Sequence, residues 1–259
     1  MRLQLAVSPD IHVRHLSDWY LLATRLSRLT GLSIVARFYD GFDELHRAYE
    51  QGCVDVVVAN ASDATRLVRH AGFLALARPA GVSDEASVVV AADSLWSRVE
   101  DLNPGLTVGG RSPGLRVAAT DAPDVECICR ILLEPADLDP AALHVEVKRN
   151  YTLVAKAIVN GEADAGFFLR QAFDELTTSV RRALRPLVSS HIYVVSHALM
   201  VGPAAAGYAG EILAALDRLA HDPAHARLLA GVGAPHGWER LSGEDVHFML
   251  DLMSALSGD

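Results

Sequence analysis

The chain has 259 residues, of which 51% are hydrophobic and 21% charged, and its net charge is −9. This balance excludes a disordered chain and the basic face of a nucleic-acid binder. No run of about 18 apolar residues occurs, so no membrane-spanning helix is expected. Three cysteines, with Cys53 far from Cys127 and Cys129, give no disulfide framework.

The N-terminal stretch "MRLQLAVSPD" enters a short apolar strand directly, without the apolar core or the cleavage site of a secretory leader. As written, the chain is expected in the cytoplasm; if a leader has been removed, the expectation is the periplasm. After the strand "RLQLAV", a helix is predicted over "VRHLSDWYLLATRLSRLTG". Leu16, Trp19, Tyr20, Ala23 and Leu26 fall at helical spacing there, and Gly31 is the stop. "LSIVARF" reads as a second strand, and "GFDELHRAYEQG" as a helix with Phe42, Leu45 and Tyr49 on one side. "VDVVVAN" is a nearly all-apolar run, as in a buried parallel strand. "SDATRLVRHAG" reads as a helix capped by Ser62, and "FLALARP" as a strand.

The middle continues in kind. "ASVVVAADS" is a strand, "LWSRVEDL" a short helix, and "NPGLTVGGRSPG" a turn-rich loop. Then come the strand "LRVAAT", a helix opening at "TDAPDVECIC", the strand "LHVEVK", the helix "YTLVAKAIVNG" and the strand "ADAGFFL". After "RPLVSS", the run "HIYVVSHALMV" is predicted as a strand, and the remainder as helices. Two segments match each other: "HRAYEQGCVDVVVAN" and "AKAIVNGEADAGFFL", with Asp55 and Asp164 in the same place. The expectation is an α/β protein of two Rossmann-like lobes. The first comprises 1–92 and 191–259, the second 93–190, and the apolar runs at 86–92 and 191–199 are the crossing strands.

The pieces "AVSPD", "GCVDVVVANASD", "VVVAADSLWSRVEDL", "NYTLVAKAIVNGEADAGFF" and "PHGWERLSGEDVHFMLDLM" span nearly the whole chain. In order and spacing they resemble the phosphate/phosphonate-type substrate-binding proteins of ABC transporters. The resemblance implies a type 2 periplasmic-binding-protein fold, a hinge of two strands, a ligand closed between the lobes, and a secreted or lipid-anchored protein. The missing leader departs from that pattern. A second departure lies at "TDAPDV", where the family carries small hydroxyl residues that, with the helix N–H groups, hold phosphonate oxygens. Here stand Thr120, Asp121, Ala122, Pro123 and Asp124. Pro123 removes one donor, and the carboxylates occupy the others and the positive helix end. An ordinary phosphate or phosphonate is therefore not expected there.

Asp121 and Asp124 read as a capping box, as partners of a ligand ammonium or hydroxyl, or as both. Lys148, Arg149 and Asn150 end the strand "LHVEV" at its carboxyl end, where α/β sheets place ligands. They are a solvated turn or the positive wall of an anion site, and Tyr151 beside them is able to stack on a ligand. In the first lobe Ser8 and Asp10, then Tyr39 and Phe42, then Asn60 and Ser62 follow successive strands and border one crevice. Asn60 and Ser62 are equally plain helix caps. The resemblance implies ligand contact at these turns. Among the histidines, His191 on the second crossing run is singled out, while His12, His15, His144 and His197 read as surface or core. Cys127 and Cys129 point about 200° apart on a helix, so no shared metal ion is expected; Cys129 reads as core and Cys127 as cleft edge or helix interface. No metal or cofactor is expected, and G-x-S-x-G, H-E-x-x-H, P-loop and G-x-G-x-x-G motifs are absent. The functional expectation is a non-catalytic binder of a small polar or anionic molecule. Its protein partner is an ABC permease or a cytoplasmic protein. The rivals are a cytoplasmic enzyme of the same fold acting on a small carboxylate, and a stand-alone effector-sensing domain.

Overall fold

The computed structural model describes residues 1–11, 15–103 and 114–257. His12 and most of the expected loop "NPGLTVGGRSPG" lie outside the described residues. The chain forms two compact units, Met1–Ser83 with Tyr193–Asp259, and Asp84–Ile192.

The first unit opens with β1 (Arg2–Val7), α1 (Leu16–Thr30), β2 (Ser33–Arg37), α2 (Phe42–Glu50), β3 (Val56–Ala59), α3 (Ala61–Ala71) and β4 (Leu74–Pro79). The second holds β5 (Ala86–Ala91), β6 (Leu115–Ala119), α4 (Pro123–Leu132), β7 (Leu143–Val147), α5 (Tyr151–Val159), β8 (Ala165–Leu169), α6 (Arg170–Asp174), α7 (Thr178–Arg182) and β9 (Leu184–Ser189). The chain then returns to the first unit with β10 (Ala198–Val201), α8 (Ala209–His221), α9 (Ala226–Gly231), β11 (Trp238–Arg240) and α10 (Gly243–Ser257).

The first sheet runs β11-β4-β10-β3-β1-β2 and the second β7-β6-β8-β5-β9. In each, a strand lies between two parallel neighbours: β1 between β2 and β3, and β6 between β7 and β8. Antiparallel strands complete each sheet, β10 against β3 and β5 against β8. Alternation of side chains sends Leu3, Leu5, Val7, Val56 and Val58 to one face of the first sheet, where Trp19, Leu22 and Leu26 of α1 and Ile212 and Leu216 of α8 cover them. Tyr20, at helical spacing with that stripe, is exposed.

The matching segments seen in the sequence fold identically. Helices α2 and α5 each end before a glycine in the left-handed region, Gly52 at φ 64° and Gly161 at φ 72°. There Cys53 N donates to Ala48 O and Glu162 N to Ala157 O, closing the last turn. Three residues after each glycine stands an aspartate. Asp55 Oδ2 accepts Gln4 N at 2.8 Å, while Asp55 N donates to Gln4 O. Asp164 Oδ2 accepts Arg116 N at 2.9 Å, while Asp164 N donates to Arg116 O. The Arg116 guanidinium also forks onto the Asp164 carboxylate.

Several expectations need correction. β5 hydrogen-bonds to β8 and β9 of the second sheet, so it is a strand of the second unit although the sequence boundary at 92/93 put it in the first. "HIYVVSHALMV" is a strand only at Ala198–Val201, and Tyr193 before it adopts φ 60°, a left-handed conformation that breaks extended backbone at that residue. "RPLVSS" supplies β9 and "GWER" supplies β11, which pairs with β4. "LWSRVEDL" forms only a 3-10 turn at Val99–Leu102. Helix α3 is capped by Asn60, whose side chain accepts Asp63 N, and Ser62 lies inside it.

Asp55→Ala leaves the Gln4 N–H without its acceptor and is expected to lower stability by about 1–3 kcal/mol, read as the urea midpoint of unfolding. Asp55→Asn keeps an acceptor oxygen and is expected to fall closer to the native protein. Equal midpoints for all three proteins would remove the clamp from the argument.

Candidate functional site

In the first unit β10, β3 and β1 lie side by side, and the pairing of Ala198 with Ala59 brings His197 beside Asn60. The turn after β1 adds Asp10. Asp10 Oδ2 accepts Asn60 Nδ2 at 3.2 Å, and Asp10 Oδ1 lies 3.1 Å from His197 Nε2. All three are buried; Asn60 is 0% and Asp10 8% exposed. Asn60 thus has two tasks, since its Oδ1 also caps α3 through Asp63 N at 2.9 Å. Burial is the largest influence on the Asp10 carboxyl and pushes its pKa up. The His197 charge, the hydrogen bonds from His197 and Asn60, and the Ser8 hydroxyl beside it outweigh burial, so the pKa lies below the ordinary value. Ser8 and Ser196 are each 2% exposed, and neither hydroxyl has a hydrogen-bond partner among the described residues.

A second buried carboxylate adjoins the first. Asp63 Oδ1 lies 2.7 Å from His46 Nε2 and 3.5 Å from Arg66. Burial raises its pKa, and His46 and Arg66 offset this only in part. The His46 ring stacks on Tyr49, and the Arg66 guanidinium sits over the same ring at 5.6 Å. Phe42 is buried, with its ring 5.9 Å from that of His46. Tyr39 is half-buried, with its phenol pKa raised by burial against the opposing charge of Arg37.

The second unit places Thr120 directly after β6, four residues past the clamped Arg116, as Ser8 stands four past the clamped Gln4. Thr120 Oγ1 is buried and, among the described residues, unpartnered. The expected Asp121–Asp124 capping box does not form. Pro123 takes the first helical position, which makes Ala122 the N-cap and leaves Asp121 one residue too early and exposed. Asp124 is 2% exposed, and its Oδ1 accepts Val125 N at 3.0 Å. Lys148 pairs with Glu146, Arg149 is exposed, and Asn150 caps α5 through Leu153 N at 3.0 Å. Tyr151 is 4% exposed and stacks on Phe168 at 5.6 Å, so its ring face belongs to the core. His191 is exposed. Cys129 is fully buried, with its thiol pKa pushed up by burial, whereas Cys127 is half-buried. Among the described residues no group of three metal-ligating side chains occurs.

The structure therefore joins Ser8, Asp10 and Asn60; it adds His197, which the sequence placed among surface or core histidines, and the Asp63–His46 pair, which sequence reasoning passed over. Only the antiparallel placement of β10 against β3 makes His197 a partner of Asp10.

A carboxyl with a depressed folded-state pKa stabilises the fold above its unfolded value of about 3.9, and that contribution is lost as pH falls through the lower folded value. His197→Ala strands a buried charge and is expected to cost about 3–5 kcal/mol at pH 7. It is also expected to move acid unfolding, followed by circular dichroism, to higher pH. An unchanged acid midpoint would show that Asp10 is not held by His197.

The model of the family described as "ABC transporter, phosphonate, periplasmic substrate-binding protein" matches residues 5–246. No curated protein sequence matches the chain. Among solved structures, PhnD1 from Prochlorococcus marinus, in complex with methylphosphonate, superposes with a TM-score of 0.79 at 14% identity, covering 99% of this chain and 98% of that one. A binding protein component of an ABC phosphonate transporter from Pseudomonas aeruginosa gives 0.78 at 13% identity, over 99% and 87%. The alkanesulfonate-binding protein SsuA from Xanthomonas axonopodis pv. citri, bound to MOPS, gives 0.66 at 18%, over 99% and 93%. These likenesses establish the type 2 periplasmic-binding-protein fold that the sequence motifs imply. With the family model matched over nearly its whole length, the chain belongs to the phosphonate-type periplasmic substrate-binding proteins of ABC transporters.

Proposed function

We propose that the protein is the periplasmic solute receptor of an ABC importer and takes a small organic molecule of the phosphonate or sulfonate class. The family match over residues 5–246 carries this reading. The neighbours described with methylphosphonate and with MOPS support both headgroups. Binding is coupled to a hinge motion of the two units, and the closed form is what the permease reads.

The oxyanion site is altered at the start of α4. Pro123 has no N–H, and Asp124 takes the Val125 N–H with its own carboxylate. A doubly charged headgroup placed at this helix end would meet like charge and lack donors. The buried Thr120 Oγ1, which has no hydrogen-bond partner among the described residues, supports Thr120 as the second-unit group that holds a polar headgroup.

Calorimetry at pH 7 is expected to give no submicromolar binding of inorganic phosphate or methylphosphonate; submicromolar affinity for either overturns the altered site. Asp124→Ser removes a like charge and is expected to tighten methylphosphonate binding by about tenfold, equivalent to about 1.4 kcal/mol. Any bound solute is expected back unchanged by mass spectrometry. Conversion of the solute would replace the receptor by an enzyme.

A further inference from the structure

We propose that the first unit binds a short hydroxy-dicarboxylate on the face of its sheet beside the edge strand β2: Arg2 and Arg37 take the two carboxylates, and Gln4 Oε1 accepts the hydroxyl. The site is independent of the receptor reading above, which concerns the turns at the strand ends.

β2 is the last strand of the first sheet and pairs with β1. The register sets Arg2 opposite Ser33, Gln4 opposite Val35 and Ala6 opposite Arg37. Alternation puts Arg2, Gln4, Val35 and Arg37 on one face, while Leu3, Leu5, Ile34 and Ala36 turn to the core. A cavity of about 170 Å³ is lined by Arg2, Gln4, Val35, Ala36 and Arg37. Arg2 and Arg37 stand four residues apart in register, roughly 13 Å at about 3.3 Å per residue. The Gln4–Val35 pair lies between them.

The cavity thus has two cationic ends, and no carboxylate lines it. Neither guanidinium pairs with a carboxylate among the described residues; Arg37 adjoins the Tyr39 phenol. Two neighbouring acids are engaged elsewhere: Asp55 accepts Gln4 N from the β3 side of β1, and Glu44 accepts Asp40 N. Gln4 is half-buried, and its Oε1 is buried without a hydrogen-bond partner among the described residues. A buried acceptor left unmade costs free energy, and the cavity that Gln4 lines gives a donor room to reach it.

These groups discriminate among small anions. A monocarboxylate leaves one guanidinium without a counterion. Sulfate is compact, meets one end and carries no proton for Oε1. A dicarboxylate meets both arginines through charge-assisted hydrogen bonds. The donor between its ends must be uncharged, because an ammonium would lie between two guanidiniums. A hydroxyl on the connecting chain satisfies this. Water is also able to donate to Oε1, and matched acids separate the two.

The test is an amide NMR titration of the full chain at pH 7 and low ionic strength. The probes are malate, succinate and 2-hydroxybutyrate; the last two lack the hydroxyl and one carboxylate of malate in turn. Both arginines are exposed, so the ion pairs are weak and millimolar affinity is expected. Malate is expected to give saturable shifts at Gln4 and Val35. It is expected to bind about threefold to tenfold tighter than succinate, the worth of one hydrogen bond, and about threefold tighter than 2-hydroxybutyrate, the worth of one exposed ion pair. In Arg2→Gln, with folding checked by its melting temperature, the malate-to-hydroxybutyrate ratio is expected to fall to near one, and Arg2→Lys is expected to keep it. The three acids on the native protein decide even if a variant does not fold. Equal affinities for malate and succinate mean that only water reaches Oε1 and overturn the inference. Equal affinities for malate and 2-hydroxybutyrate overturn it by removing the second carboxylate. Absence of saturable shifts at Gln4 and Val35, or malate binding that Arg2→Gln leaves unchanged, overturns the site itself. Each of these results leaves the receptor reading standing, since the phosphonate and sulfonate titrations decide that separately.

Discussion

A carboxylate that bridges two neighbouring parallel strands carries the architecture. Asp55 takes the Gln4 N–H on its side chain and gives its own N–H to the Gln4 carbonyl, so the strand that follows is docked in one register on β1. Asp164 does the same with Arg116 on β6. A slip of one residue would turn every side chain of β3 to the opposite face, moving Val56 and Val58 out of the core they share with Leu3 and Leu5. It would also separate Asn60 from Asp10, because the turn residues take their level from the strands they end. The left-handed glycines Gly52 and Gly161 are the other half of this device, since they turn each helix back so that the aspartate arrives beside its strand.

The polar groups of the first unit depend on that register. Asn60 donates to Asp10 and caps α3 through Asp63 N, so one amide organises two buried acids. The acids respond in opposite directions: the pKa of Asp10 falls and that of Asp63 rises. Burial opposes ionisation in both cases, and the partners decide the net direction. Around Asp10 the His197 charge and several hydrogen bonds act together, whereas Asp63 leans on His46 and on a longer contact to Arg66 while feeling the repulsion of Asp10. A low-dielectric interior magnifies such differences.

The same strand-to-helix turn holds different groups in the two units. After β1 it holds Ser8 and Asp10, with Asn60 and His197 beside Asp10 at the ends of β3 and β10. After β6 it holds Thr120 with a comparably orphaned hydroxyl, followed by a helix that proline starts without a side-chain cap. Proline at the first helical position and an aspartate at the second both suit a helix end on purely local grounds.

Much of the fold was legible in the sequence because its signals are local. Alternation in "RLQLAV", the apolar run "VDVVVAN", helical spacing from Trp19 to Leu26, and the repeated Gly-to-Asp spacing each report a backbone conformation within a few residues. Strands β9 and β11 carried no such signal, since proline interrupts one and the other has only three residues; antiparallel pairing with β5 and β4 makes them strands. Of the candidate site, Ser8, Asp10 and Asn60 were legible as residues at strand carboxyl ends. Phe42 and Tyr151 looked the same by position, and their rings pack on His46 and on Phe168. His197 stayed hidden because its partner lies 187 residues away, and only the sheet order β10-β3-β1 brings the two together. Short-range spacing determined which segments are strands and helices. Long-range pairing, set by register and burial, decided which polar groups meet.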